Sequence, residues 1–464
     1  MLEPIDWRYS AAIVGLVQYF KFLNEEYDQI VEYEMTEDSL SYNRSDITED
    51  RFLAFCEYKF SDDMHHAVAE EKLKETDEFS EEQIDSVNDK LRGNTIMKKT
   101  FGKLKFDGEN GSEILKLIKE SRNTLIKETF RYKENLYKNY CNYHLLLKEE
   151  QPHCRLKGYD LDEGRKSNSA AYQFNKNHFV GNDRLEFDFI PFAFTNTYDA
   201  LFINNNWKLE ELNKAKDNLL RILEKAENEK RDKGTNWNSR TLLFKTIVGS
   251  KKFIDYDVEI IQKSRDKDYY ETVFIRKKAI NILKSLNHIE FLFKSIKITD
   301  NYYINIFEEA FDCILNEVCT DRLIELLLKE GSFNYTIEKL IEINYKIKEL
   351  DKEKGGDRMK GILYATKECS KEIVGKLKAS KSENKVKTYR QKLISTLVAE
   401  DYERFCDILL QLSAYSGVSI PFAYDLFEDF EKNKDIAYTF VAALDVNTKN
   451  DNTVKEEDKQ ELGG

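Results

Sequence analysis

The fold of this chain is decided by residues 401–444, DYERFCDILLQLSAYSGVSIPFAYDLFEDFEKNKDIAYTFVAAL. Four apolar residues recur at i, i+3, i+4 and i+7 and define one helix face: Phe405, Ile408, Leu409 and Leu412. Asp401 stands at the N-cap position, Gly417 follows the last turn as a left-handed cap, and Pro421 is placed to start the next helix. A final amphipathic helix is indicated by Ile436, Phe440 and Leu444. The stretch therefore predicts a helical bundle.

The composition indicates ordered, mostly helical domains. A chain of 464 residues is long for one hydrophobic core, and 41% hydrophobic residues with 12% aromatics argue against disorder. No apolar run is long enough for a membrane span, and no basic segment precedes an apolar run at the N-terminus, so we expect a cytoplasmic protein. The seven cysteines are scattered and odd in number, which is typical of reduced thiols.

The net charge of −13 is unevenly distributed along the sequence. Residues 23–90 hold 22 acidic and 6 basic side chains, so the remainder of the chain carries a net charge of +3. An acidic protein is an unusual partner for nucleic acid, but here the acidity belongs to one region. A polyanionic partner elsewhere on the chain is therefore compatible with the sequence.

We predict an α+β, mostly helical fold with a large mixed domain followed by an all-helical bundle. The mixed domain covers residues 1–350 and contains a small hairpin near residues 30–42. Adjacent glycines in DKEKGGDRM predict a linker over 351–358. The bundle follows over 359–449, and the polar composition of 450–464 predicts a disordered tail.

Basic residues are concentrated in three places. The segment RGNTIMKKTFGKLKFDGENG, residues 92–111, predicts a basic hairpin or loop that bears Lys98, Lys99, Lys103 and Lys105. Lysines between aromatic residues suit a nucleic-acid backbone, but edge-strand lysines that discourage strand pairing explain the pattern equally well. A second basic turn is predicted at Lys251 and Lys252. The first two bundle helices are predicted to carry a basic outer face: Lys376, Lys378, Lys381, Lys385, Lys387 and Arg390.

Residues 158–206 form the least helical part of the sequence. Phenylalanines at 187, 189, 192 and 194 around Pro191 predict strands, with polar loops at their ends. Candidate readers of nucleic acid in these loops are Arg165, Lys166, Asn168, Asn196, Asn204, Asn205 and Asn206. Asparagines are typical of turns, yet their amides also pair with adenine edges, and both interpretations stay open.

The sequence lacks the motifs of common catalytic and metal sites. No phosphate-binding glycine loop, nucleophile elbow or zinc-protease motif occurs. Cysteine and histidine residues cluster near residues 141–154, but they lack the paired spacing of zinc ligands: Cys141, His144, His153 and Cys154. We therefore predict no enzyme, no cofactor and no metal. The alternatives are a helical scaffold without a nucleic-acid role, or a metal-dependent nuclease centred on Asp62, Asp63, His65 and His66.

Three stretches of the sequence together resemble one protein family. They are the C-terminal stretch with its RF, DILL, SIP and AYTF elements, DWRYSAAIVGLVQYFKFL at 6–23, and FDFIPFAFTNTYDALFINNN at 187–206. They are similar to the large subunit of Cascade, the crRNA-guided surveillance complex of type I CRISPR systems, in its subtype I-B form. The resemblance implies a non-catalytic subunit that reads the PAM in duplex DNA, aids R-loop formation and presents a surface to a trans-acting helicase-nuclease.

The same resemblance implies the partners and a second translation product. The partners would be crRNA, target double-stranded DNA, other Cascade subunits and the helicase-nuclease, with no membrane. The family makes its small subunit by internal initiation, and Met359 is the candidate start. Lys354–Gly356 can be encoded as a purine-rich ribosome-binding run, with two codons before Met359. The alternative explanation of the glycines is an ordinary flexible linker. The product would be residues 359–464.

Overall fold

A computed structural model describes residues 1–27, 30–76, 78–151, 153–159, 182–205, 208–233, 257–331, 334–349 and 356–445. The described residues form the predicted α+β, mostly helical fold. The chain divides into two compact units, Met1–Ile275 and Arg276–Gly464. None of the described helices is long and apolar enough to cross a membrane.

In its described ranges, unit 1 combines helices with two small antiparallel sheets. Its helices are α1 (Trp7–Glu25), α2 (Glu49–Phe60), α3 (His65–Glu75), α4 (Glu81–Leu91), α5 (Thr95–Phe101), α6 (Gly111–Tyr132), α7 (Tyr137–Tyr140), α8 (Ile190–Ala193) and α9 (Leu209–Lys233). The predicted hairpin is confirmed as β1 (Tyr33–Met35) and β2 (Leu40–Tyr42). A second sheet has the order β3 (Asp199–Asn204), β4 (Val258–Ser264), β5 (Glu271–Ile275).

Helix α1 is the buried centre of unit 1. Asp6 caps it by accepting a hydrogen bond from the backbone N–H of Arg8 at 2.8 Å. Apolar residues lie buried around its whole circumference, as expected of a helix inside a core. At Gly15 the backbone of Phe189 approaches so closely that an added Cβ would lie 2.1 Å from the Phe189 carbonyl oxygen. Only glycine permits this contact.

The predicted strands around Pro191 are wrong. Leu185–Phe189 forms a 3-10 turn that leads directly into α8, which has Pro191 in its first turn. Every residue from Glu186 to Phe194 is buried. The regular spacing of the phenylalanines therefore reflects burial on all sides and not the two faces of a strand.

Helices α3 to α6 enclose a second, smaller apolar cluster, which we call the satellite core. Its buried members are Ala69, Leu73, Val87, Leu91, Met97, Phe101, Phe106, Ile114, Ile118 and Leu125. Arg122 of α6 pairs with Glu57 of α2 at 2.8 Å and with Glu70 of α3. These ion pairs connect the satellite core to the helices beside α1.

The part of unit 2 that the structure describes is helical apart from one hairpin. Its helices are α10 (Lys277–Ser285), α11 (Ile306–Leu315), α12 (Asp321–Glu330), α13 (Asn334–Glu349), α14 (Gly356–Ala379), α15 (Glu383–Val398), α16 (Tyr402–Ser416), α17 (Ala423–Glu428) and α18 (Phe430–Ala443). The hairpin pairs β6 (Ser295–Thr299) with β7 (Tyr302–Asn305). The predicted linker at 351–358 falls within this unit. Residues 351–355 and the predicted tail at 450–464 lie outside the described residues.

The C-terminal stretch folds largely as its sequence indicates. Asp401 caps α16 by accepting from the backbone N–H of Arg404 at 3.2 Å, and Gly417 ends the helix with φ +66°. The four residues of the predicted apolar face are all buried. The next helix begins at Ala423, two residues after Pro421, because Pro421 and Phe422 form a turn first.

Candidate nucleic-acid interface

Residues 92–111 form a helix and an anchored turn instead of the predicted hairpin. Asn94 caps α5 by accepting from the backbone N–H of Met97 at 2.9 Å. Met97 and Phe101, one helical turn apart, are both buried in the satellite core. Gly102 follows with φ +57° and ends the helix. The four-residue spacing of the apolar side chains, rather than their alternation with lysine, determines the local structure.

Four exposed lysines project from this segment, and we call them the α5 basic turn: Lys98, Lys99, Lys103 and Lys105. None of them forms an ion pair with any residue that the structure describes. The chain after them is fixed, because the side chain of Asn88 both donates to and accepts from the backbone of Phe106 at 2.9 Å. The turn thus presents four ammonium groups on a held backbone, which suits contact with phosphates.

A second set of lysines lies at the end of α14 and the start of α15, and we call it the C-terminal basic face: Lys376, Lys378, Lys381, Lys385 and Lys387. Lys378 is half-buried and the other four are exposed. Lys376 pairs with Glu372 at 2.9 Å and also donates to the carbonyl oxygen of Gly417 at 3.4 Å. The predicted basic face therefore exists on the surface of the bundle.

Arg390 does not share this face, contrary to the prediction. Its Nε donates to the carbonyl oxygen of Val441 in α18 at 3.1 Å. Burial lowers the pKa of its guanidinium. Because α15 turns this position toward α18, Arg390 connects two helices of the bundle.

Asn196 is exposed, but its amide is engaged on both sides. Its Nδ2 donates to Oδ2 of Asp63 at 2.7 Å, and its Oδ1 accepts from Asn135 at 3.1 Å. Asp63 also accepts from Lys133 at 2.6 Å. Burial alone would raise the pKa of Asp63, but the hydrogen bonds from Lys133, Asn135 and Asn196 lower it overall. The network ties the α2–α3 turn to the loop that follows α8.

The remaining predicted readers are either buried or outside the described residues. Asn204 lies within β3 and donates to Glu259 at 2.6 Å, and Asn205 accepts from the backbone N–H of Lys208 at 3.2 Å. Both asparagines are buried. Arg165, Lys166, Asn168, Asn206, Lys251 and Lys252 lie outside the described residues.

The four residues of the nuclease alternative have other partners or point apart. Asp63 is held in the network with Lys133, whereas Asp62 is exposed. His66 is fully buried, and its Nε2 lies 3.0 Å from Oε1 of Glu57. His65 is half-buried on the other side of the helix.

The cysteine and histidine residues near 141–154 lie in different environments. Cys141 and Cys154 are buried, and His144 lies beside Arg131 with 3.3 Å between Nδ1 and Nη2. Across the described ranges, no group of three or more His, Cys, Asp or Glu side chains could hold a metal ion.

Three features of the structure have no counterpart in the sequence predictions. Buried lysines occur at 216 and 263, and Arg155 is buried between Asp183 and Asp188. On the bundle surface the rings of Tyr389 and Tyr415 lie 6.1 Å apart. Only the tyrosines left a signal in the sequence, since Tyr389 stands among Lys385, Lys387 and Lys392. The buried charges depend on contacts between distant residues.

The comparisons with known proteins agree with the class that the sequence suggested. The family model of CRISPR-associated protein Csx8 matches residues 1–444, which is nearly the whole chain. No curated protein matches the chain significantly. The matched range includes all of unit 1, unit 2 as far as residue 444, the α5 basic turn and the C-terminal basic face. The chain therefore belongs to the CRISPR-associated Csx8 family.

Proposed function

We propose that this protein is the non-catalytic large subunit of a crRNA-guided type I surveillance complex of subtype I-B. In this role it reads the PAM in duplex DNA, aids R-loop formation and offers a surface to the helicase-nuclease. The observation that carries the proposal is the α5 basic turn, four exposed lysines on an anchored backbone in a CRISPR-associated protein. Base pairing with crRNA would supply sequence recognition, while this protein contacts DNA shape and the PAM.

The polar loops of unit 1 remain our candidates for PAM readout. Asn196 is an exposed member of the Asp63 network, so its amide would contact a base edge by exchanging its bonds to Asp63 and Asn135. Asn204 and Asn205 are buried and would position neighbouring backbone instead. Loss of one bidentate amide–adenine pair costs about 1–3 kcal/mol of discrimination.

The proposal is tested by duplex binding across a salt series. Replacing Lys98, Lys99, Lys103 and Lys105 by alanine should weaken binding, because each lost phosphate contact lowers the slope of log affinity against log salt by about 0.9. The assay uses the assembled complex with crRNA and PAM-containing duplex. In the same assay, Asn196→Ala should reduce the preference for PAM over non-PAM duplex.

The matched control lies on α6, another helix that encloses the satellite core. Lys116 and Lys119 are exposed on α6, where Glu113 and Glu120 surround them, so their double alanine variant should bind like wild type. This control is compared with the Lys98→Ala/Lys99→Ala double variant. Equal affinities and equal salt slopes for the two double variants would refute the assignment of the α5 basic turn.

A further inference from the structure

An aromatic pair lies on the bundle surface next to the C-terminal basic face. The rings of Tyr389 on α15 and Tyr415 on α16 have centroids 6.1 Å apart and planes tilted by 41°. Tyr415 is 48% exposed, so its apolar ring is not fully packed in the bundle core. The pair therefore presents an accessible aromatic surface.

Lysines flank Tyr389 along α15, and one of them contacts its ring. Lys385 and Lys392 stand four residues before and three after Tyr389, which places all three on one side of α15. The ammonium of Lys392 lies 6.0 Å from the centre of the Tyr389 ring. At the end of α16, the helix that carries Tyr415, Lys376 donates to the carbonyl oxygen of Gly417.

The local charge favours an anionic partner. Helix α15 carries Lys385, Lys387, Arg390 and Lys392 against a single acidic residue, Glu383. Lys385, Lys387 and Lys392 form no ion pair with any residue in the described ranges. Stacking rings flanked by unpaired ammonium groups are the elements with which proteins bind single-stranded nucleic acid.

We propose that Tyr415, supported by Tyr389, stacks on an unpaired base of single-stranded DNA whose phosphates contact Lys385 and Lys392. This inference rests on the proposed function, because that function brings a displaced single strand to the complex. It adds a base contact to the phosphate contacts that the exposed lysines of the C-terminal basic face would make. It requires no sequence preference, since every base has a stacking face.

The test measures binding of the full-length protein to fluorescent oligo(dT) by anisotropy. Tyr415→Ala should weaken binding roughly 5- to 150-fold, the range for loss of one stacked base, and leave the salt slope unchanged. Tyr415→Phe keeps the ring and should bind like wild type. Lys385→Ala/Lys392→Ala should instead lower the salt slope by about 0.7 per lysine.

An abasic oligonucleotide of equal length separates stacking from phosphate contact. On that probe Tyr415→Ala should bind like wild type, because no base is present to stack. The matched control is Tyr424→Ala on α17, where the ring is 79% exposed but stands among Asp425 and Glu428. This variant should bind oligo(dT) like wild type.

Two negative results have different meanings. If wild-type protein binds oligo(dT) without salt dependence, or not at all, both the inference and the single-strand role of the proposed function are wrong. If wild type binds with the expected salt slope but Tyr415→Ala matches Tyr424→Ala, only the stacking inference fails. Equal losses for Tyr415→Ala on the normal and abasic probes would also overturn it. A tyrosine pair that serves a protein partner instead would leave every oligonucleotide affinity unchanged.

Discussion

The two compact units bury lysine side chains beside different partners. In unit 1, Lys216 donates to the carbonyl oxygen of Phe194 at 2.7 Å, and Lys263 donates to neutral oxygens of Asn139, Ser264 and Lys267. In unit 2, the buried Lys434 pairs with the carboxylate of Glu431 at 2.7 Å.

This difference determines the charge state of each lysine. Burial lowers the pKa of Lys216 to about 7 and that of Lys263 to about 8. Burial also acts to lower the pKa of Lys434, but hydrogen bonds with Glu431 and Tyr402 raise it overall. A carbonyl oxygen satisfies an N–H donor without compensating its charge. Lys216 and Lys263 should therefore make the stability of unit 1 depend on pH near neutrality, whereas Lys434 should add no such dependence to unit 2.

The largest loss of unfolding free energy is expected on substitution of Arg155, a buried cation of unit 1 with carboxylate partners. Arg155 lies 3.0 Å from Asp183 and 2.7 Å from Asp188, and both arginine and aspartate side chains are inaccessible. Arg155→Met should cost about 3–5 kcal/mol, because it leaves two buried carboxylates without their cation. The measurement is urea unfolding followed by tryptophan fluorescence, which reports on unit 1 because Trp7, Trp207 and Trp237 all precede residue 275.

Arg92→Met is the control for this substitution. Arg92 is exposed in the same unit, and the variant should stay within about 0.5 kcal/mol of wild type. An Arg155→Met midpoint equal to that of the control would show that the two aspartates find other compensation. That result would contradict the conclusion that carboxylate partners compensate the charge of a buried cation in this unit.

A smaller, pH-dependent effect is expected from Lys216→Met. The folded pKa of Lys216 is about 7, below its ordinary value, so the unfolded state binds more protons between these two values. Stability should therefore rise with pH in wild type, and the substitution should remove on the order of 2 kcal/mol of that rise between about pH 7 and about pH 9. Urea unfolding by far-UV circular dichroism across this range measures it.

Lys434→Met supplies the comparison in unit 2. A lysine with a raised folded pKa contributes stability that is complete below its ordinary pKa and is lost only at more alkaline pH. This substitution should therefore leave the slope between about pH 7 and about pH 9 unchanged. Equal changes of slope in the two variants would contradict the distinction between the units.

What the sequence could predict depends on how far apart the interacting residues lie. The cap at Asp401 and the end at Gly417 are set within a few residues, and both are confirmed. Lys263 contacts Asn139 across 124 positions, and no local pattern could reveal that burial. The hairpin prediction for residues 92–111 is wrong for a different reason. Lysines between apolar residues fit both a strand and a helix, and only packing into the satellite core selects the helix.

The same dependence on sequence distance separates the predictable and unpredictable features of the candidate site. Exposure of the lysines could be predicted because solvation needs no distant partner. The network of Asn196 could not, since Asp63 lies 133 residues away. The sequence predicts a helix around Tyr415 but not its proximity to Tyr389, because that proximity depends on how α15 packs against α16.

The last predictions concern Met359 in unit 2 and the polypeptide that would start there. Met359 lies in the first turn of α14, so a product that starts there would contain α15 to α18 and nearly all of α14. Expression from the natural coding sequence should give a second polypeptide of residues 359–464 by mass spectrometry. Met359→Gln with synonymous recoding of 354–356 should abolish it. Persistence of that polypeptide in the recoded variant, or its absence from wild type, would refute internal initiation.

Asp435 distinguishes this product from the same helices in the full chain. In the full chain Asp435 is buried and accepts from Asn344 at 2.9 Å and Lys348 at 2.7 Å, both on α13. The shorter product lacks α13, so we expect its Asp435 to lose both partners and to face solvent. Asp435→Asn should therefore destabilise the full chain by about 1–2 kcal/mol and change the product by less than about 0.5 kcal/mol. Equal losses in the two polypeptides would mean that α18 is covered in the product too, for instance by a second copy, and a concentration-dependent unfolding midpoint would then reveal that association.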